Sequence, residues 1–249
     1  MPRFIVLCTL LLAILPSAAQ DKKKPAPKIE PRVFFTIPLG ATPGDNMKVT
    51  LRGVDLDNAK EVKVLDGKGS AKILSKGKAG APDKNPEKVG DSQVEIELKL
   101  ADKIGGESIS LVVVTPNGET KPHAFWLAPA FGEQEPNDGF KSAQKITVPT
   151  TIQGTIGRPR DVDMFRFEGK AGQKLFAEVL ASRHGSPLDA ILTLYNAQGI
   201  QLASNDDFSK EHRDAKIELP LPAEGTYYLS LIDAHDTGSN LHVYRLIVK

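Results

Sequence analysis

The sequence predicts an all-β chain built as two β-sandwich domains. Three observations carry this expectation. Short runs alternate apolar and polar residues at period two, as in Val94-Glu95-Ile96-Glu97-Leu98-Lys99-Leu100. Turn chemistry made of Gly, Pro, Asn and Asp separates the runs, as in Pro116-Asn117-Gly118 and Asn196-Ala197-Gln198-Gly199. No helix is suggested in the first half, and Ser142-Ala143-Gln144 in the second allows one helical turn at most. With 249 residues, 25% charged and 40% hydrophobic, the chain has room for one large or two ordinary cores.

The elements follow in order. Met1-Pro2-Arg3 is a positive start, Phe4 to Leu15 is an apolar run, and Ser17-Ala18-Ala19 is a small-residue cleavage site. Residues 1–19 therefore read as a signal peptide. The run is shorter than the ~20 apolar residues a membrane span needs, so no span is expected in the mature chain. Cys8 is the only cysteine and would leave with it. A mature chain without cysteine is an exported protein that uses no disulfides. The expected location is secreted: extracellular, periplasmic or at the cell surface. Residues 20–31, which include Asp-Lys-Lys-Lys-Pro-Ala-Pro-Lys, read as a Lys/Pro-rich linker. Removing Arg3 leaves 31 basic and 31 acidic residues, a balance that excludes a nucleic-acid partner. Residues 21–129 hold 18 basic and 15 acidic residues, and residues 130–249 hold 13 and 16. This opposite polarity fits two domains of different character.

Residues 32–129 form the first predicted domain. Val33–Ile37, Met47–Gly53, Val62–Leu65, Lys72–Leu74, Val94–Leu100, Ile109–Thr115 and Ala124–Leu127 read as strands. Gly77 to Gly90 reads as a long loop, and Asn117-Gly118 as a hairpin turn. Pro38-Leu39-Gly40, Pro43-Gly44, Val49 to Leu56 and Val112 to Gly118 resemble the immunoglobulin-like domains of the plexin and transcription-factor type. That resemblance implies a spacer or adhesion module with no catalytic residues to carry over.

Residues 130–249 form the second. Eight strands are expected: 151–156, 163–168, 174–181, 190–195, 201–204, 215–219, 226–233 and 242–248. Short strands at this spacing predict a sandwich of jelly-roll character. Glu135-Pro136-Asn137-Asp138, Asp161-Val162-Asp163-Met164-Phe165, Leu188-Asp189-Ala190, Asn205-Asp206-Asp207 and Gly225-Thr226-Tyr227-Tyr228-Leu229 occur in this order. With them the region resembles a bacterial pre-peptidase C-terminal domain. Such domains are appended to secreted proteins, often proteases, and are usually not catalytic. The collagen-binding domains of clostridial collagenases are similar members and bind calcium. Met164 stands where the family more often has an aromatic residue.

The densest oxygen chemistry lies between the two regions. Glu133, Glu135, Asn137 and Asp138 offer four oxygen-bearing side chains around Pro136, and Asp161 and Asp163 flank the next strand. Calcium takes six to eight hard oxygen ligands, so these six residues are a candidate calcium site, and the resemblance falls on the same positions. The competing reading makes Asn137-Asp138 a helix cap and Asp161 an Asx-turn. Asn205-Asp206-Asp207 reads as turn chemistry. Asp236-Thr237-Gly238 matches the aspartic-protease tripeptide, but that chemistry needs two carboxylates sharing a proton and the tripeptide occurs once. His123, His184, His212, His235 and His242 are scattered and form no zinc-protease pair. Tyr227, Tyr228 and Tyr244 sit on strands, and their outward members are candidates for an aromatic binding surface.

The expected function is a non-enzymatic binding, adhesion or accessory module for an extracellular protein or polysaccharide, with calcium stabilising the second domain. The alternatives are a targeting or chaperone-like partner of a separate secreted hydrolase such as a protease, and a hydrolase in its own right acting through Asp236 or Asp163.

Overall fold

The computed structural model describes residues 30–81, 86–209 and 213–249. The expected signal peptide and residues 20–29 of the linker lie outside the described residues, as does His212. Among the described residues, nine strands fall in the first half: β1 (Arg32–Ile37), β2 (Gly40–Ala41), β3 (Asn46–Val54), β4 (Glu61–Val64), β5 (Gly69–Lys78), β6 (Ser92–Leu100), β7 (Ser108–Thr115), β8 (Gly118–Glu119) and β9 (His123–Leu127). Ten fall in the second: β10 (Phe131–Gly132), β11 (Gln144–Lys145), β12 (Thr150–Thr155), β13 (Val162–Gly169), β14 (Lys174–Leu180), β15 (Ala190–Asn196), β16 (Gln201–Asn205), β17 (Lys216–Pro220), β18 (Gly225–Asp233) and β19 (Val243–Val248). The chain is all-β. Its α-helix content among the described residues is one turn, α1 (Pro86–Val89).

The first-half strands form sheets in the orders β1-β3-β6-β5 and β2-β9-β7-β4, with β8 paired to β7. Alternation dictates which side chains meet between them. On β6, Ser92, Val94, Ile96, Leu98 and Leu100 turn inward. Val94, Ile96, Leu98 and Leu100 pack with Val49 and Leu51 of β3 against Ile109, Leu111, Val113 and Phe125 of the facing sheet. β5 is longer than the expected 72–74. It pairs with β6 from Gly69 opposite Leu100 to Lys78 opposite Ser92, with an irregularity between Ile73 and Ser75. The far end of this edge strand runs Ser75-Lys76-Gly77-Lys78, whose polar residues hide the alternation. The region read as a loop from Gly77 therefore begins as strand and ends in α1.

The second-half sheets have the orders β10-β12-β19-β14-β17 and β11-β13-β18-β15-β16. Consecutive strands repeatedly change sheet, so the core is closed by crossings between layers. Its centre is Phe165, Phe167, Leu192, Leu194, Leu229 and Leu231 from one sheet against Ile152, Val179, Leu246 and Val248 from the other. Burying each such side chain contributes about 1.5–3 kcal/mol.

The two sandwiches touch. Phe35, Leu39 and Val89 form a small apolar cluster with Leu241 and Val243. The Trp126 indole Nε1–H donates to His184 Nδ1 at 2.9 Å, and Arg245 Nη2 donates to the Ala128 carbonyl at 2.5 Å. Gly185 has a φ of 85°, and a Cβ there would strike the Phe34 carbonyl, so glycine permits this approach.

Candidate metal centre

Three elements deliver the acidic residues to one end of the second sandwich, beside its junction with the first. Asp163 lies on β13 in the register of Phe165 and Phe167, so alternation points its carboxylate inward. It is fully buried. Tyr244 lies on β19 with Leu246 and Val248 on the inward side and is equally buried. The two meet across the sandwich: Tyr244 Oη donates to Asp163 Oδ2 at 2.6 Å and sits 3.0 Å from Glu133 Oε2. One hydroxyl carries one proton, so it satisfies one of the two carboxylates at a time.

Glu133 is placed by continuation of the short β10–β12 pairing. Its backbone N–H donates to the Gln153 carbonyl at 3.0 Å, and its Oε1 accepts the Thr155 N–H at 2.8 Å. A Cβ at Gly154 would collide with Glu133 Oε2 and Tyr244 Oη, so this glycine leaves the space in which they converge. Glu135 accepts the Asn137 N–H through Oε2 at 3.0 Å, and the Asn137 carbonyl accepts the Met164 N–H at 3.1 Å, laying the segment along β13. The Glu135–Pro136 peptide bond is cis.

Glu133, Glu135 and Asp163 thereby offer carboxylate oxygens within 4.8 Å of one another. Asn137 is fully buried beside them. With its nitrogen turned toward them, its amide donates to the Val162 carbonyl and to Asp163 Oδ1, each at 3.3 Å. An amide oxygen in that position would face two acceptors, an arrangement that suits a cation among them. Asp138 and Asp161 are drawn aside. Arg158 Nη2 contacts Asp138 at 2.8 Å and its Nε lies 3.2 Å from Asp161, while Asp161 Oδ2 accepts the Gly157 N–H at 2.6 Å. Of the six sequence candidates, four line the convergence and two pair with an arginine at its edge.

No family model matches the chain. A probable subtilase-type serine protease of Deinococcus radiodurans is 43% identical over 100 residues, which are 39% of this chain and 14% of that protease. The chain thus spans a small part of that curated relative. The pre-peptidase C-terminal domain of collagenase from Bacillus anthracis aligns at 18% identity and a TM-score of 0.34, covering 49% of this chain and 98% of that one. A third structure, the Bacteroides ovatus SGBP-B protein in complex with a mixed-linkage heptasaccharide, aligns at 9% identity and a TM-score of 0.25. It covers 78% of this chain and 71% of that one.

The electrostatics of the second sandwich are dominated by its acidic cluster. Burial, and then the neighbouring Glu133 charge, push the Asp163 carboxyl up to about 9. Burial also raises Glu133 above the ordinary carboxylate range, against the pull of the Thr155 N–H. Burial and the same two carboxylates hold the Tyr244 hydroxyl well above its usual value, so it remains a donor. Among the described residues, no ion pair engages Glu133, Glu135 or Asp163. Burial thus disfavours the ionised forms of Asp163 and Glu133.

Tyr244 is the member that sequence reading did not place: its core-face register with Leu246 and Val248 was legible, and a buried hydroxyl demands a polar partner. Tyr227 is likewise buried, whereas Tyr228 is part-exposed. Asn205 Nδ2 donates to the Asp207 carbonyl and Asp206 accepts the Asp207 N–H, local turn bonds, while Asn205 Oδ1 also accepts the Lys216 N–H of β17. Asp236 occupies a turn at φ 54°. The neighbouring Asp233 carboxylate accepts the backbone N–H groups of His235 and Thr237.

Proposed function

We propose that this chain is an exported, non-catalytic binding module, with residues 32–129 and 130–249 as its two domains and calcium stabilising the second. The observation that carries the reading is the convergence of Glu133, Glu135 and Asp163 within 4.8 Å, one of them fully buried and none in an ion pair among the described residues. Glu133, Glu135, Asp163 and the Asn137 amide oxygen would hold the ion, and backbone carbonyls or water would complete its six to eight ligands. Calcium would supply the missing positive charge and tie the segment after β10 to β13. Asp138 and Asp161 would remain with Arg158. A binding role fits this chemistry better than catalysis. The hydroxyl among the carboxylates is buried and held protonated, which makes it a poor nucleophile. The target would be an extracellular protein or polysaccharide.

The test is a survey of the mature chain against polysaccharides and extracellular proteins, with calcium and with chelator. Binding of one class, weakened by chelator, is expected. Failure to bind any surface component removes the reading.

The 43% identity to part of a subtilase-type protease favours a second reading, a targeting or chaperone-like partner of a separate secreted hydrolase. Co-purification with such an enzyme supports it, and a chain that purifies alone from its native medium excludes it.

A further inference from the structure

Where the two sandwiches meet, a cleft of about 590 Å³ opens between β1, β9 and the turn at residues 182–185. This is the size of a small-ligand site. Its first-half wall carries Phe34, Thr36, His123 and Trp126, and its second-half wall carries Ser182 and His184. Trp126 is the only tryptophan of the chain and is part-exposed. Indole nitrogen only donates, so its 2.9 Å bond to His184 Nδ1 settles the imidazole tautomer. His184 carries its proton on Nε2 as a donor on the cleft wall. The two rings meet edge-on, at 67° with centroids 5.0 Å apart.

The one Lys, Arg, Asp or Glu side chain among the lining residues is already paired. Arg183, also on its wall, is held by Asp214 at 2.6 Å and Glu178 at 2.7 Å. Burial depresses both histidines, His123 to about 4 and His184 below its ordinary 6.5, so both are neutral at pH 7. An ionised ligand would meet no unpaired Lys, Arg, Asp or Glu among these lining residues. A purely apolar ligand would leave the His184 N–H and the Ser182 hydroxyl unpaired. A pyranose ring has C–H faces that pack on aromatic rings and uncharged hydroxyls that pair with such donors and acceptors.

We infer that this cleft is the binding site of the module and that it takes an uncharged oligosaccharide. The inference rests on the binding role proposed above and places that role between the two sandwiches, on residues distinct from the acidic cluster.

Trp126 supplies the readout, since all tryptophan emission comes from the cleft. The mature chain is titrated with cellohexaose, laminarihexaose and chitohexaose, and with hexagalacturonate as the charged counterpart. A saturable change in emission with a neutral hexasaccharide is expected, together with at least tenfold weaker binding of hexagalacturonate. By calorimetry, Trp126→Ala should weaken the neutral ligand at least tenfold and His123→Ala at least threefold. His123→Ala decides the matter should Trp126→Ala fail to fold. Polysaccharide or protein binding that survives both variants, with Trp126 emission unchanged, overturns the cleft and leaves the binding role standing. Preference for hexagalacturonate overturns the uncharged class. A chain that binds no polysaccharide and no protein overturns the binding role and this inference with it.

Discussion

Replacing Asp163 by Asn removes one charge from the cluster and keeps the side-chain shape. In the metal-free protein the Asp163 carboxyl titrates at about 9 against an ordinary 3.8, so the folded chain holds a proton that the unfolded chain releases. This contribution to stability is complete below pH 3.8 and is lost as pH rises toward 9. Each pH unit inside that window is worth about 1.4 kcal/mol. Metal-free wild type should therefore lose about 4 kcal/mol between pH 5 and pH 8. Asp163→Asn has no such proton, and its amide oxygen still accepts from Tyr244, so its stability should change less over the same range. Without metal at pH 8 the variant should be the more stable protein. Calcium at 100 times its dissociation constant should add about 2.7 kcal/mol to wild type and less than half of that to the variant at the same concentration. Urea unfolding at pH 5 and pH 8, with chelator and with calcium, reads all of these quantities. A variant destabilised at both pH values without metal, with an undiminished calcium response, would refute the reasoning.

Three further outcomes follow from the same geometry. Glu135→Ala should abolish the calcium-induced rise in Tm, whereas Asp138→Ala, which loses only a contact to Arg158, should leave calcium affinity within about twofold, both read by calorimetry; equal losses would reassign the ligands. Gly154→Ala should drive a methyl into Glu133 and Tyr244, costing about 1–3 kcal/mol by urea unfolding and weakening calcium, and a neutral outcome would show the convergence to be loose. His184 and His123 have depressed pKa values, so their contribution is present above pH 6.5 and is lost as pH falls through their folded values. Protonating His184 places a hydrogen opposite the indole N–H, so Trp126 emission should change with a midpoint below 6.5 and stay flat in His184→Phe. Constant wild-type emission from pH 8 to pH 4 would contradict this.

Much of this fold was legible because alternation reports which face of a strand is buried. The eight strands expected in the second half all form, within a residue at each end. β10 and β11 were not legible, since two residues hold no period and their pairing is set by β12 and β13. The same limit applies to the candidate site. Glu133, Glu135, Asn137 and Asp163 are an oxygen-rich set in any reading, and Asp163 shares its core face with Phe165 and Phe167. That Tyr244 meets them follows from the packing of two sheets, which strand periodicity does not express. Arg158 was not singled out either, yet it is the group that occupies Asp138 and Asp161. Asp214 went unread for a similar reason. Its fully buried carboxylate accepts from the backbone of Ala181, Ser182 and Arg183, a role that depends on a turn distant in sequence.

The most direct test of the calcium-stabilised module is a crystal grown with calcium and examined by anomalous scattering. One peak is predicted at ~2.3–2.6 Å from oxygens of Glu133, Glu135 and Asp163, with the Asn137 amide oxygen turned toward it. Ordered carboxylates with no peak among them, and Tyr244 still hydrogen-bonded to Asp163, would contradict the account.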